Sequence, residues 1–477
     1  MYFSHNIHLD RTHVSLIKSI SGIRGTIGGK VGESLSPVDV VKFTAAFGTW
    51  IKQRSKSNSI VIGRDARISG PMVSSIVTAT LQSLGITVID LGLSTTPTVE
   101  IAVTEEQAGG GIVITASHNP GQWNALKLLN EKGEFISDLD GQEVLTIAEN
   151  EDFNFVDVKH IGAYKTDDQY IQKHINMVLA LPLVDVEAIT NRKFRICVDA
   201  VNSTGGIAVP MLLDALGVKT VTKINCEPTG IFAHNPEPLA EHLTQISTEI
   251  KNGKYDLGIV VDPDVDRLAF VCEEGSMFGE EYTLVAVADY VLKNKVGNTV
   301  SNLSSTRALR DVTEKAGGVY HASAVGEVNV VTAMKTNNAV IGGEGNGGII
   351  YPDSHYGRDA LVGIALFLSH LAKYGKTISM LKLKYPIYHM SKNKIELTPD
   401  TDMDKIFEEV KRKYQKQPVN EIDGLKIEFD NQWVHLRKSN TEPIIRIYSE
   451  SESKATADYL ANKIITDIKE IITVKSE

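Results

Sequence analysis

The chain has 477 residues, enough for three or four domains of about 100–150 residues each. A net charge of −10, a pI near 5.8 and the lack of any long basic run argue against a nucleic-acid or anionic-membrane surface. No apolar run reaches the roughly 18 residues of a membrane helix, and the three scattered cysteines (Cys197, Cys226, Cys272) form no disulfide framework, which fits a reducing cytoplasmic setting.

In chain order, "MYFSHNIHLDRTH" is polar and lacks a signal-peptide core, so residues 1–13 are expected to be a disordered extension. A first α/β unit is expected over 14–165. It holds the apolar run "SIVIGRDARISG" (59–70), the helical pattern "PMVSSIVTATLQSLG" (71–85) and the run "GIVITASHNP" (111–120). A second, 166–272, holds "FRICVDAVNSTGG" (194–206), a helix over 205–217 and "LGIVVDPDVDRL" (257–268). A third, 273–388, holds "AVIGGEGNGG" (339–348). Each apolar run is short, rich in Ile and Val, and ends abruptly in polar residues or glycine. Such runs read as strands buried on both faces, and in α/β sheets ligands gather at the carboxyl ends of strands. The last part, 389–477, differs: "DGLKIEFDNQWVHLRKSNTEPIIRIYSES" (423–451) alternates like antiparallel strands and "KATADYLANKIITDIKEII" (454–472) is helical, giving a smaller α+β domain.

The polar tails carry the chemistry. Asp262, Asp264 and Asp266 in "DPDVDR" point to one side if the segment is extended, and three such carboxylates suit Mg²⁺ or Ca²⁺. An EF-hand is excluded because Arg267 stands where its turn requires glycine and a strand follows. A haloacid-dehalogenase-type phosphotransferase leaves the third Asp unexplained. The glycines of "GGEGNGG" (342–348) allow close backbone approach, with Glu344 and Asn346 available to a sugar's hydroxyls. In "RKSNTEPIIR" (437–446), Arg437 and Arg446 can chelate a phosphate, with Ser439, Asn440 and Thr441 as further donors. Ser117 beside His118 suggests a hydrolase pair, although neighbours on a strand tail usually diverge.

Taken together, "SGIRGTIG" (21–28), "TASHNP" (115–120), "DPDVDR" (262–267), "GEGNGG" (343–348) and "RKSNTEP" (437–443) resemble the α-D-phosphohexomutase superfamily, in its order. The nearest types are phosphoglucosamine mutase and phosphomannomutase/phosphoglucomutase. The resemblance implies three similar α/β domains and a smaller fourth around a central cleft. It implies that Ser117 is a phosphoserine, that Asp262, Asp264 and Asp266 with a phosphoserine oxygen bind Mg²⁺, and that Arg24, His118 and Lys127 surround the reacting groups. Arg267 would lie beside the metal loop. Glu344 and Asn346 would meet the sugar, and Arg437, Ser439, Asn440, Thr441 and Arg446 the phosphate that is not transferred. The implied reaction moves phosphate between O6 and O1 through a hexose 1,6-bisphosphate, in a cytoplasmic monomer or homodimer. A phosphatase, or a silent sugar-phosphate binder, is the alternative class.

The sugar loop departs from the family. Bacterial members often carry Gly-Glu-Met-Ser-Gly-His or Gly-Glu-Gln-Ser-Gly-His, whereas this chain has Gly343-Glu344-Gly345-Asn346-Gly347-Gly348. "VGE" (325–327) stands where glucosamine-type members have Val-Gly-Asp, so Glu327 is expected to hold a substrate ammonium and the reading leans to glucosamine 6-phosphate.

Overall fold

Residues 14–19, 22–398, 401–438 and 444–473 are described by the structure, a computed structural model. The expected extension 1–13 and the loop residues Ser439, Asn440 and Thr441 lie outside the described residues.

Four sheets follow one another along the chain. The first comprises β1 (Ile17–Ser19), β2 (Gly22–Thr26), β3 (Ser59–Arg64), β4 (Thr87–Leu93), β5 (Gly110–Ile114), β6 (Trp123–Leu129) and β7 (Tyr164–Thr166). Its order is β1-β2-β6-β5-β3-β4-β7. Strands β5, β3, β4 and β7 run parallel, and β6 returns antiparallel beside β5. The second sheet, order β11-β10-β8-β9, contains β8 (Arg195–Asp199), β9 (Thr220–Ile224), β10 (Leu257–Val261) and β11 (Leu268–Cys272). The third, order β13-β12-β14-β15, contains β12 (Asn298–Asn302), β13 (Tyr320–Ser323), β14 (Ala339–Glu344) and β15 (Gly348–Ile350).

The central strands are the apolar runs of the sequence. β5 and β10 are buried at every position, as expected of strands covered by helices on both faces. The helices expected over 71–85 and 205–217 form as Gly70–Ser83 and Gly205–Ala215. Each stops at a glycine of positive φ, Gly85 and Gly217, both +80°. The residue after each glycine bonds back to the last turn: Ile86 N–H to Leu81 O, and Val218 N–H to Leu213 O, both in a Schellman arrangement.

One apolar core runs through the second and third sheets without a break. The helix Ala360–Tyr374, buried on nearly every side, belongs to both. Its Phe367 ring stacks on Phe270 of β11 with centroids 3.8 Å apart, and Phe278 meets Phe367 edge-on at 5.3 Å. The first sheet has its own cores. Among the described residues no helix is long and apolar enough to cross a membrane.

The fourth sheet is antiparallel throughout: β16 (His389–Glu396), β17 (Val419–Asn420), β18 (Leu425–Phe429), β19 (Gln432–Lys438) and β20 (Ile444–Ser451), in the order β16-β20-β19-β18-β17. One face packs on the helices Met403–Lys413 and Lys454–Thr473. The simple alternation expected for β19 is only half of what forms. Val434 and Leu436 enter the domain core, but Trp433 and His435 are buried as well, because their face lies against the third sheet unit.

Candidate active site

The carboxyl ends of β5, β10 and β14 meet. Ser117 follows β5, and Asp262 follows β10. The Ser117 hydroxyl donates to Asp262 Oδ2 at 2.7 Å, across 145 residues of sequence. Ser117 sits at φ +47°, a left-handed backbone that costs a non-glycine residue energy unless its surroundings impose it.

A buried guanidinium imposes it. Arg67, fully buried at 0% exposure, donates to the carbonyls of Ser117 (2.5 Å), Asn119 (2.6 Å), Pro120 (2.7 Å) and Trp123 (3.0 Å). Its Nε donates to Asp65 Oδ2 at 3.0 Å. The same carboxylate oxygen accepts from Thr115 Oγ1 at 2.7 Å, and Thr115 Oγ1 accepts the Ser117 N–H at 2.9 Å. Asp65 and Arg67 thus hold the serine loop from beneath.

The three aspartates converge, but not by strand alternation. Residues 262–267 form the turn between antiparallel β10 and β11, with Val265 at φ +63°. Asp262 Oδ1 organises that turn by accepting the N–H groups of Asp266 and Arg267, both at 3.1 Å. The expectation of an extended ladder is therefore corrected: a tight turn brings alternate carboxylates together as a strand would, with more curvature. One oxygen from each carboxylate lies within 4.8 Å of the others, and all three residues are fully buried.

The second oxygens are tied down by protein donors. Asp264 Oδ2 accepts from Thr96 Oγ1 (2.5 Å) and Lys127 Nζ (2.7 Å). Asp266 Oδ2 accepts from Lys127 Nζ (3.2 Å) and Arg358 Nη2 (2.7 Å). Asp264 Oδ1 and Asp266 Oδ1 are buried without a hydrogen-bond partner. Two orphaned anionic oxygens beside the Asp262–Ser117 pair fit a hard divalent cation. Electrostatics agree. Burial, then the neighbouring Asp266 and Asp264, push the Asp262 carboxyl well above its usual range. Burial also works to raise Asp266, but the Arg358 and Lys127 cations overrule it and hold that carboxyl low.

Other cations ring the serine. Lys127 lies on β6, opposite Val113 of β5, so the strand pairing alone sets it beside the serine loop. Arg24 of β2 pairs with Ala125 and so shares a sheet face with Lys127. Its Nε is buried without a partner, and burial followed by the nearby Arg267 lowers its pKa. Arg267 reaches Glu237 at 3.4 Å. His118 Nδ1 is also buried and unpartnered, and burial, then the Arg267 cation, pushes the imidazole down to about 2, so it stays neutral.

The third unit supplies the sugar-loop residues, with a different use of their charges than expected. Glu344 Oε2 accepts from Arg358 Nη1 at 2.9 Å, and Oε1 accepts from Asn302 Nδ2 (2.8 Å) and Gly326 N–H (3.1 Å). Glu327, at the start of the helix Glu327–Thr336, spends both oxygens on Arg358: Oε2 on Nε at 2.9 Å and Oε1 on the backbone N–H at 3.1 Å. Glu327 and Glu344, expected to meet an ammonium and a hydroxyl, thus share Arg358 with Asp266. Asn346, half-buried in the β14–β15 turn, accepts the Gly348 N–H at 3.2 Å.

In the last domain Arg437 stands directly opposite Arg446, and Arg446 opposite Lys394 of β16. Three cations in line across three strands repel one another unless an anion lies between them. Arg437 Nε is 2.8 Å from Asp423 Oδ2, and the same oxygen accepts the Val325 N–H at 2.9 Å. The structure thus gathers Ser117, His118, Arg24, Lys127, Arg267 and the Asp triad into one centre. Glu327 and Glu344 reach it through Arg358. Asp65, Arg67, Thr96 and Arg358 were not singled out by sequence reasoning, and only the position of Asp65 and Arg67 on a polar strand tail marked them.

Successive α/β sheets whose strand tails converge on such a centre, followed by an antiparallel last domain, define the class of intramolecular phosphotransferases that act on hexose phosphates. The chain belongs to the phosphoglucomutase/phosphomannomutase family: residues 17–155, 168–275 and 279–387 match its alpha/beta/alpha domains I, II and III, and 395–466 its C-terminal domain. It is 37% identical over 444 residues to a phosphoglucomutase/phosphomannomutase of Thermococcus kodakarensis, covering 91% of this chain and 96% of the relative. It is 32% identical over 461 residues to a phosphoglucosamine/phosphogalactosamine mutase of Sulfurisphaera tokodaii, covering 95% and 98%. The fold superposes on a phosphoglucomutase/phosphomannomutase family protein from Burkholderia thailandensis with a TM-score of 0.83 at 24% identity, over 96% and 97% of the two chains.

Proposed function

We propose that this phosphohexomutase uses Ser117 as the group that carries the transferred phosphoryl, and moves phosphate between O6 and O1 of a hexose phosphate through a 1,6-bisphosphate. The observation that carries this reading is the 2.7 Å bond from Ser117 Oγ to Asp262, in a cluster of three buried carboxylates of which Asp264 and Asp266 each leave one oxygen unpartnered. A phosphoserine brings close to two negative charges at neutral pH. Asp262, Asp264 and Asp266 would hold Mg²⁺, which when bound neutralises charge and polarises the phosphoryl oxygens. Arg24, Lys127 and Arg267 add cations around the transferred group, where positioning and charge stabilisation do most of the work. Arg67 fixes the serine loop, so Ser117 Oγ is aimed before substrate arrives. Arg437 and Arg446 grip the phosphate that is not being transferred, so the bisphosphate can be held at either end as it turns around.

A hexosamine 6-phosphate is the substrate proposed first, in keeping with the Sulfurisphaera tokodaii relative. The pairing of Glu327 with Arg358 favours a second reading, a sugar with a neutral 2-hydroxyl, since both Glu327 oxygens already accept from Arg358 and the carboxylate has less charge to offer an ammonium. Rates on glucosamine, glucose and mannose 6-phosphates with the phosphorylated enzyme decide between them.

The test of the main reading is intact-mass analysis. The protein should carry one phosphate on Ser117 that is lost when hexose phosphate is added. Ser117→Ala should neither carry it nor turn over, with its thermal midpoint little changed. Retained isomerase activity in Ser117→Ala would falsify the assignment.

A further inference from the structure

Arg358 is saturated by three carboxylates from three separate segments. Its Nη2 donates to Asp266 in the triad turn at 2.7 Å, Nε to Glu327 at 2.9 Å, and Nη1 to Glu344 at 2.9 Å. The residue is only 8% exposed. Its stem passes over Gly348, where a Cβ would stand 2.4 Å from Arg358 Cδ. The glycine that replaces the family's frequent histidine at the end of the sugar loop therefore makes room for this arginine. Arg358 itself lies outside the five sequence motifs.

The fork has a consequence for the cation site. Arg358 and Lys127 both take Asp266 Oδ2, which leaves Oδ1 buried without a hydrogen-bond partner, 3.9 Å from Arg267 Nε. Which oxygen of Asp266 stays free thus depends on Lys127 and, at the shorter distance, on a guanidinium that Glu327 and Glu344 also hold. We infer that Arg358 is a positioning residue that makes the cation affinity of the Asp triad depend on the sugar-loop segments carrying Glu327 and Glu344. The inference rests on the cation reading of the triad. Groups that orient metal ligands without touching the metal are commonly worth about 10–100-fold in affinity.

Charge alone predicts the opposite sign, which makes the idea testable. Removing a cation near three carboxylates should strengthen their attraction for Mg²⁺. A positioning role means that its removal weakens binding. Mg²⁺ affinity is measured by titration calorimetry on the full unphosphorylated chain. Arg358→Met and Arg358→Lys should each weaken it about tenfold or more, lysine failing because one ammonium cannot span three carboxylates. Glu344→Gln should weaken it in the natural background and have no effect when Arg358 is already replaced, the signature of coupling in a double-mutant cycle. Should Arg358→Met not fold, the cycle is run with Arg358→Lys. Unchanged or tighter binding in the Arg358 variants overturns the proposal, as does a Glu344→Gln effect equal in both backgrounds. Asp264→Asn separates the two layers. If it abolishes Mg²⁺ uptake while the Arg358 variants bind normally, the positioning role fails alone. If the natural chain takes up no Mg²⁺, the cation reading and this proposal fail together.

Discussion

The two joints of the third sheet unit are built differently. Towards the second unit it shares a continuous apolar core, with Phe367 stacked on Phe270 and the helix Ala360–Tyr374 buried between them. Towards the last domain the named contacts are polar. Lys426 Nζ donates to Leu303 O at 2.9 Å, Ser304 Oγ bonds His435 Nδ1 at 3.0 Å, Arg307 N–H donates to Glu450 at 2.9 Å, and Arg310 pairs with Glu428 at 3.0 Å. An apolar joint resists opening, because every increment exposes buried surface. A polar one can exchange its hydrogen bonds for water at small net cost. The Asp triad and Arg358 lie on the stiff side of this divide, and Arg437 and Arg446, the proposed phosphate grip, on the side able to open. That division suits a reaction whose intermediate must turn around while the transferring group stays aimed.

Substitutions on the two sides should therefore fail in different ways. The largest effect is expected from Arg67→Met. It strands the buried Asp65 carboxylate and four loop carbonyls, and loss of a buried ion-pair partner costs about 3–5 kcal/mol. Urea unfolding should show that loss in global stability, together with a collapse of turnover. An unchanged midpoint would mean that the serine loop is not held from beneath.

Arg437→Ala should leave global stability alone and raise KM about tenfold, since a hydrogen bond to a charged group is worth about 1.5–3 kcal/mol. A fall in kcat with unaltered KM would place this arginine on the chemical side of the divide instead.

The smallest effect concerns the polar joint itself. Burial holds Lys426 down to about 8, against the Glu428 and Glu450 carboxylates, while an undocked lysine titrates at its ordinary 10.5. Between those values the docked state binds fewer protons than the open one, so docking should strengthen as pH rises through that window. Hydrogen exchange of β18 and β19 should slow with pH in the natural chain relative to Lys426→Met, in which the difference vanishes. Equal pH dependence in both would remove Lys426 from the joint.

Much of the site was legible because its residues are short-range statements. A run of buried strand ending in Ser117, or in three alternate aspartates, announces itself through composition and spacing. Where local geometry was inferred from spacing alone it was only partly right: the aspartates converge through a turn closed by Asp262 Oδ1, not an extended strand. Glu327 and Glu344 were assigned to the substrate from their places in the VGE and GEGNGG stretches alone. Their partner Arg358 is 31 and 14 residues away. Arg67 escaped notice for a related reason, since a lone arginine after a strand looks solvated until its four carbonyl acceptors are found.

The sequence by itself determined which groups are available: a serine and a carboxylate cluster, each at the tail of an apolar run, and two cationic regions. The tertiary structure alone decided how those charges are spent. Packing brings carboxylates from three segments onto one guanidinium, and burial makes each of them demand a partner. Which oxygen stays free for a cation follows from that packing, because it depends on distances between residues that no local pattern relates.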